Sequence, residues 1–371
     1  RRWLCAGKQI ADTSFQHRTI VVPTKMAVDS VRASNWSGCV PVVLSLAPTS
    51  LSSPTIPAPI HVLVSRHTFL HVGLQNAVFR LHKYAPPTFS FSKRVVEEPE
   101  TMDDSATDNG EDEKEKIPRI NGSSALSPPN EIEGTSTSFT SSEKVAPYPL
   151  CWFEDEGTQL PLQWQLFVGV LWDTYGSQSA TQSRLPWKIR LHFSNYPSSQ
   201  LLELDTVTTG LLGTVERTFK NSLKQALVLQ HGQNKVALNM TKQTHQRIWD
   251  SIVTSKYVVY KPIQEDIQVS TNSQPALIPI RLVVGPSKPL IQKRCDDVSL
   301  SLGQLLHLWL PQHFEESNES GDGVTIIRPT LKSTQWIVAG VTPPLTTPVV
   351  DLWQSLCHPD SFLYVAVVTG S

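Results

Sequence analysis

The hydrophobic period of the chain changes at Thr214, and this change limits the folds that it can adopt. From there apolar residues recur at helical spacing, and a second helical stripe follows Gly232. The stripes comprise Val215, Phe219, Leu223, Ala226 and Leu227, then Ala237, Met240, Thr244, Ile248 and Ile252. A helical hairpin of roughly 40 residues is too small to fold alone. We therefore expect a helix-rich domain, 197–265, that packs on its neighbours.

Before this region, the chain opens with two strands and a short helix. Residues 39–47 and 60–70 are apolar runs that predict two strands joined by a long loop. Four apolar residues then fall at i, i+3, i+4 and i+7, which predicts one face of a helix: Leu74, Ala77, Val78 and Leu81. Strand, strand and helix is the order in which a β-grasp domain begins.

A long polar segment interrupts this first domain. Residues 93–147 are rich in Ser, Pro, Asp and Glu, and 93–144 contain 13 acidic and 6 basic residues. A segment of this composition cannot bury enough apolar surface to fold. We therefore predict a disordered acidic insertion at 93–147.

The missing part of the first domain is expected beyond the insertion. The pattern predicts a short strand at 151–154, a helix at 167–175 and a strand at 187–193. These pieces complete a domain made of residues 26–92 and 148–196.

The last part of the chain begins with a hairpin and a helix. Apolar residues alternate from Ile278 to Val284, residues 285–287 turn the chain, and residues 290–295 return as a partner strand. Ser301 and Gln304 have capping-box spacing at the start of a helix that Pro311 ends.

The remaining elements repeat the order of the first domain. A polar loop over 315–323 precedes a strand near 336–341, a short helix opened by Thr347-Pro348 and a final strand at 362–368. Residues 276–369 are therefore expected to form a second β-grasp domain. The predicted fold class is α+β, with two β-grasp domains flanking the helix-rich domain.

Composition gives expectations about the environment of the protein. The five cysteines are widely spaced and form no C-x-x-C pair, which favours a reducing compartment. The sequence has no apolar run of about 18 residues, so we expect a soluble protein. The net charge is −1, and no dense Lys/Arg run points to nucleic acid. Residues 1–25 are expected to be an extension, with folded structure from Trp36 onward.

The sequence offers no site at which the chain itself would carry out chemistry. It contains neither a G-x-S-x-G turn nor a nucleotide-binding glycine loop, and its 11 histidines lack metal-ligand spacing. His358 follows Cys357, but adjacent residues in regular structure point apart, so we expect a buried thiol beside a loop histidine. We therefore predict a non-enzymatic protein without cofactor or metal.

Four short segments resemble one protein family. They are Trp152-Phe153-Glu154-x-Glu156-Gly157-Thr158, Leu185-Pro186-Trp187-x-Ile189-x-x-His192-Phe193, Pro289-Leu290-Ile291-Gln292-Lys293 and Pro359-Asp360-x-Phe362-Leu363. In this order and spacing they resemble the autophagy protein 5 family. The resemblance implies two ubiquitin-like domains around a helix-rich domain.

The resemblance also implies a conjugation site. In this family one lysine is joined by an isopeptide bond to the C-terminal glycine of the ubiquitin-like autophagy protein 12, and the matching residue here is Lys224. Helical geometry places Lys224 roughly 130° from the centre of the apolar stripe, so its ammonium group should face solvent. Lys220, one turn earlier, is the neighbouring alternative.

Partners and location follow from the same resemblance. The family binds an amphipathic helix of autophagy protein 16 on its first ubiquitin-like domain, and the matching residues here are Arg66, in the predicted second strand, Trp164, Val168, Gly169 and Trp172. The conjugate acts like an E3 ligase: it brings the E2-like enzyme that carries autophagy protein 8 to a phagophore membrane, where phosphatidylethanolamine receives the modifier. The implied location is the cytoplasm, with recruitment to that membrane.

Two other functions remain open at this point. The chain could be an adaptor whose ubiquitin-like domains bind other proteins without conjugation, in which case Lys224 could be replaced by Arg without loss. It could instead be a conjugating enzyme that forms a reducible thioester on Cys151, Cys295 or Cys357.

Overall fold

The structure is a computed structural model that describes residues 25–52, 54–86, 148–176, 185–205, 209–269, 277–286, 288–318 and 325–369. The expected acidic insertion at 93–147 lies outside the described residues, as does the expected extension at 1–25 apart from Lys25.

The first sheet joins segments that the sequence separates by more than a hundred residues. In chain order the elements of this part are α1 (Lys25–Trp36), β1 (Cys39–Leu46), β2 (Ile60–Ser65), α2 (Leu70–Gly73), α3 (Gln75–His82), β3 (Trp152–Asp155), α4 (Val168–Tyr175) and β4 (Trp187–His192). The strand order is β2-β1-β4-β3, and β1 runs parallel to β4, with Leu44 opposite Ile189. A central parallel pair flanked by antiparallel strands is the β-grasp arrangement that the sequence predicts.

Helix α1 was not predicted. The sequence indicated folded structure from Trp36 onward, whereas the helix begins at Lys25 and Trp36 is its last residue. Trp36 is buried and stacks on His67 and Tyr260, with ring centroids 4.9 Å apart in each pair. The helix is held by this tertiary packing, because its own sequence has no continuous apolar stripe.

In the part that the structure describes, the central domain contains four helices, α5 (Gly210–His231), α6 (Lys235–Asn239), α7 (Lys242–Thr254) and α8 (Tyr257–Val269). Gly232 ends α5 in the left-handed conformation at φ 67°, which glycine adopts without steric cost. The second predicted stripe is broken at Met240, and Thr241 caps α7 by accepting a hydrogen bond from the Thr244 amide at 3.0 Å. The predicted two-helix hairpin was therefore too simple.

Helix α8 was also missed. It contains Pro262, which normally argues against a helix interior, yet Tyr260 and Ile263 are buried in the core. Burial of these side chains outweighs the cost of the proline.

The last part forms a second sheet of the same topology. Its elements are β5 (Ile278–Val284), β6 (Ile291–Cys295), α9 (Leu302–Trp309), β7 (Phe314–Asn318), β8 (Thr325–Pro329), β9 (Thr334–Ile337), α10 (Val349–Leu356) and β10 (Leu363–Thr369). The order is β6-β5-β10-β9, with β10 parallel to β5. The predicted capping box is present: Ser301 Oγ accepts from the Gln304 amide at 3.3 Å, and the Ser301 amide donates to Gln304 Oε1 at 2.9 Å.

The polar loop expected over 315–323 was wrong in part. Its first residues belong to β7, which pairs with β8 as a separate two-stranded ribbon. The pairing is made by backbone hydrogen bonds and leaves Glu315 and Glu316 exposed, so no apolar alternation marks it in the sequence.

Two cores hold the described residues together. One is shared by the first sheet and the central helices, and the other lies between the second sheet and helices α9 and α10. Phe362 and Tyr364 of the last strand region pack into the first core. The second ubiquitin-like unit is therefore joined to the central helices through a buried contact.

Candidate functional site

Lys224 lies on the exposed side of α5, as its helical phase predicts. Leu223 and Ala226 are fully buried on the opposite side, while Lys224 is exposed. Lys220, one turn earlier, is half-buried, and its ammonium group donates to the carboxylate of Glu216. The two lysines thus differ: Lys220 is held in an ion pair, and Lys224 extends into solvent.

His245 of α7 faces both lysines. Burial lowers the pKa of His245, and the ammonium groups of Lys224 and Lys220 lower it further. Since the ordinary histidine pKa is already below 7, the imidazole is neutral at pH 7. No further positive charge is therefore placed beside Lys224 by this ring.

A polar group, buried except for the exposed Gln225, joins α5 to the second sheet near Lys224. It consists of Ser222 and Gln225 of α5 together with Arg281 of β5, Asp360 and Tyr364, and we call it the Arg281 cluster. Nη1 of Arg281 donates to Ser222 Oγ at 2.7 Å, to the Tyr364 hydroxyl at 2.6 Å and to Asp360 Oδ2 at 3.3 Å. Nη2 donates to Gln225 Oε1 at 3.2 Å. The cluster joins the second sheet to the two residues of α5 that flank the Leu223-Lys224 pair.

The charges of the cluster are well compensated. Arg281 is 8% exposed and Asp360 1% exposed, so both have left water almost completely. Asp360 also accepts from Ser222 Oγ at 2.6 Å and from the Tyr364 hydroxyl at 2.8 Å, and the guanidinium lies 3.9 Å from the centre of the Phe362 ring. Burial raises the pKa of Asp360, and the charge of Arg281 opposes this rise.

Arg66 is placed differently from the expectation. It follows the last residue of β2 instead of lying within the strand, and it is engaged in an ion pair. Its Nη2 donates to both carboxylate oxygens of Asp173 in α4 at 2.7 Å. The Gly340 amide donates to the same carboxylate at 2.9 Å, so the pair also reaches the second sheet.

Of the other residues assigned to partner contact, three are buried. Trp164 lies in the core with its indole N–H bonded to the Leu202 carbonyl at 3.0 Å, and Val168 is fully buried. Gly169 is covered by Arg66, since an added Cβ would lie 2.9 Å from the Arg66 Cβ. These three residues present no side-chain surface to a partner. Trp172 is half-buried against Trp187, with ring centroids 5.7 Å apart.

A surface groove of about 530 Å³ lies beside the Arg66–Asp173 pair. One wall is α1, the other is the turn after β9 and the end of α10, and Arg66 lies between them. The lining residues are Ser30, Val31, Ser34, Asn35, Gly38, Arg66, Ala339, Gly340, Val341 and Leu356. Val31 and Val341 are 45% and 51% exposed, so the groove offers apolar side chains to solvent.

The cysteines named as thioester candidates are in unfavourable surroundings. Burial raises the pKa of the thiols of Cys151, Cys295 and Cys357, which keeps them protonated. His358 beside Cys357 is buried against the rings of His67, Phe167 and Tyr364. Across the described residues no cluster of His, Cys, Asp and Glu could hold a metal ion. None of the helices in these ranges combines the length and hydrophobicity that a membrane span requires.

Sequence reasoning missed Arg281 and Asp173, although a signal for each was present. Arg281 interrupts the apolar run of β5, and Asp173 lies in α4 among buried residues on both sides. Burying a charged side chain costs free energy unless an opposite charge pairs with it. A charged residue inside an apolar element therefore indicates that another buried residue of the fold pairs with it. Which residue is the partner could not be read from the chain.

Two β-grasp sheets around a four-helix centre define a tandem ubiquitin-like protein of the α+β class. Models of three domains of autophagy protein ATG5 match in the same order: the UblA domain at residues 131–193, the alpha-helical bundle region at 213–270 and the UblB domain at 277–367. The chain belongs to the autophagy protein 5 family, and its role lies in autophagy.

Curated relatives and a solved structure agree with this assignment. Autophagy protein 5 of Phaeosphaeria nodorum is 24% identical over 242 residues, which cover 58% of this chain and 75% of the relative. The protein of Scheffersomyces stipitis is 26% identical over 230 residues, covering 58% and 76%. The crystal structure of Kluyveromyces marxianus Atg5 has the same fold, with a TM-score of 0.57 and 17% identity over 91% of this chain and 99% of that one.

Proposed function

We propose that the chain is a non-enzymatic acceptor that becomes joined to the ubiquitin-like autophagy protein 12 through Lys224. The amine of Lys224 attacks the thioester carbonyl of the modifier's C-terminal glycine, an isopeptide bond forms, and the thiol of the conjugating enzyme leaves. The observation that carries the proposal is the contrast on α5: Lys224 is exposed, whereas Lys220 is half-buried and paired with Glu216.

A second partner is an amphipathic helix of autophagy protein 16. The groove between α1 and the turn after β9 supports this contact, because it presents exposed apolar side chains around the partly exposed Arg66. Apolar anchors in a groove with a charged residue beside them suit a helix with one apolar face. Of the residues assigned from the sequence, Arg66 lines this groove and Trp172 lies half-buried on α4.

The conjugate bound to autophagy protein 16 would then act like an E3 ligase. It would bring the E2-like enzyme carrying autophagy protein 8 to the phagophore membrane, where phosphatidylethanolamine receives the modifier. The chain supplies position and effective concentration, and the reacting cysteine belongs to the enzyme. The raised thiol pKa values of Cys151 and Cys357, which keep these two groups protonated, support the assignment. The protein would work in the cytoplasm and be recruited to that membrane.

The test is a denaturing, reducing gel of the tagged protein from its own cells. The native chain and Lys220→Arg should both show a species heavier by one ubiquitin-like protein, and Lys224→Arg should lack it. A heavy species that persists in Lys224→Arg would assign the bond to another residue. If no reductant-resistant species forms in any variant, the chain is a non-conjugated adaptor.

A further inference from the structure

We infer that Arg281 is a positioning residue for Lys224: through Ser222 and Gln225 it fixes the turn of α5 that presents the acceptor amine. The inference rests on the proposed conjugation at Lys224 and adds the residue that orients it.

The contacts of Arg281 point to this role. Its guanidinium donates to Ser222 Oγ at 2.7 Å and to Gln225 Oε1 at 3.2 Å, so the two bonded residues lie before and after Lys224. Two bonds on one helical turn restrict both rotation of the helix about its axis and sliding along it. Lys224 itself stays on the exposed side.

Arg281 is in turn held rigidly from the second sheet. It lies on β5, which is an inner strand, and its Nε donates to Gln292 Oε1 of the neighbouring strand at 2.9 Å. Asp360 and the Tyr364 hydroxyl accept from Nη1, and the Phe362 ring lies 3.9 Å from the guanidinium carbon. Because these contacts fix the guanidinium on the second sheet, its hydrogen bonds to Ser222 and Gln225 hold this turn of α5 in a defined position relative to the sheet.

The ion pair between Arg281 and Asp360 is buried, and this bears on the role of Arg281. Apolar residues of similar volume often stabilise a fold as well as a buried ion pair does, so stability alone does not require the Arg281–Asp360 pair. Here the pair adds directed hydrogen bonds at the turn that carries the acceptor. Aminolysis of a thioester depends steeply on the placement of the amine, since a shift of about 1 Å can cost roughly 100-fold in rate.

The experiment measures single-turnover conjugation with the full chain as acceptor and the thioester-charged conjugating enzyme in excess. The rate constant then reports reaction of folded acceptor, while loss of folded protein lowers only the amplitude. We compare Arg281→Gln, Ser222→Ala and Gln225→Ala with the control Arg294→Gln, whose arginine is exposed on β6 and paired with Asp296 at 2.7 Å.

We expect the rate constant at saturating charged enzyme to fall about tenfold in Arg281→Gln and Ser222→Ala, and less in Gln225→Ala. The concentration of charged enzyme that gives half the maximal rate should not change, and Arg294→Gln should match the native chain. Ser222→Ala decides the matter if Arg281→Gln fails to fold, because it leaves the Arg281–Asp360 pair in place.

Native rate constants with reduced amplitude in these variants would overturn the inference and leave Arg281 a purely structural residue. A Lys224→Arg variant is run beside them to separate the two proposals. If Lys224→Arg still forms the isopeptide bond, the proposed acceptor is wrong. If it is inactive while Arg281→Gln and Ser222→Ala react at the native rate constant, only the positioning role fails.

Discussion

Arg66 Nη2 donates to both carboxylate oxygens of Asp173 at 2.7 Å, across 107 residues of sequence. The same carboxylate accepts from the Gly340 amide at 2.9 Å. One ion pair therefore connects the end of β2, the middle of α4 and the turn after β9. Burial raises the pKa of Asp173, and the Arg66 guanidinium opposes that rise.

Replacing Asp173 by Ala should cost about 3 kcal/mol in the free energy of unfolding, because it leaves a largely buried guanidinium without its partner. Urea unfolding followed by tryptophan fluorescence measures this loss. The control is Arg217→Gln, which breaks the exposed pair with Asp205 and should cost under about 1 kcal/mol. If both variants lose the same free energy of unfolding, the buried Arg66–Asp173 pair does not contribute more to stability than the exposed Arg217–Asp205 pair, which would contradict this prediction.

The protein should lose stability in mild acid, and His67 should account for part of the loss. Burial, and to a smaller extent the charge of Arg66, lowers the pKa of His67 from 6.5 to about 3. Its ring stacks on Trp36, with centroids 4.9 Å apart, and meets the edge of His358 at 5.1 Å. Because the unfolded state takes up the proton first, the stabilisation is complete above pH 6.5 and is lost as pH falls toward 3.

Replacing His67 by Phe should therefore reduce the difference in free energy of unfolding between about pH 7 and about pH 5 by about 2 kcal/mol. Comparing differences between variants cancels the contributions of the titrating groups that do not contact His67. His61→Phe, at an exposed position of β2, should leave the difference as it is. The same difference in His67→Phe and in the native protein would show that His67 does not titrate as described.

The capping box of α9 gives a prediction for the second ubiquitin-like unit. Ser301→Ala removes the acceptor for the Gln304 amide and should cost about 1 kcal/mol, while Ser301→Asp should keep most of the stability. Chemical denaturation of the two variants provides the measurement. A loss of equal size in both would mean that the hydroxyl contributes something other than capping.

A charge placed in the groove beside Arg66 should block binding of a partner helix. Val31→Asp puts a carboxylate on an apolar wall of the groove, and we expect affinity for an autophagy protein 16 helix to fall at least tenfold, measured by calorimetry. Val253→Asp on α7 is the matched control, since Val253 is 48% exposed and Val31 45% exposed. Retained affinity in Val31→Asp, or an equal loss in Val253→Asp, would place the helix elsewhere.

The sequence was sufficient for the two β-grasp domains, because alternation in Ile278–Val284 and the capping box at Ser301 are local signals with a direct physical cause. The sequence did not predict the elements whose formation depends on tertiary contacts. Helix α1 is held by burial of Trp36 against other elements, and α8 contains a proline that argues against a helix.

The same limit applies to the candidate site. The exposure of Lys224 follows from the phase of one helix, so the sequence predicted it correctly. The surroundings of Arg66 depend on Asp173 and Gly340, which are distant in the chain, so no local pattern reveals that Gly169 is covered and Arg66 is paired. The sequence alone did not show which residues that are distant in the chain pair with each other in the folded protein.

The most direct test of the central claim is to locate the bond by mass spectrometry of the purified conjugate after trypsin digestion. We predict a branched peptide that begins at Asn221, ends at Lys235 and carries the modifier's C-terminal residues on the uncleaved Lys224. A branch on Lys220 or on another lysine, or a linkage that reductant releases, would contradict the account.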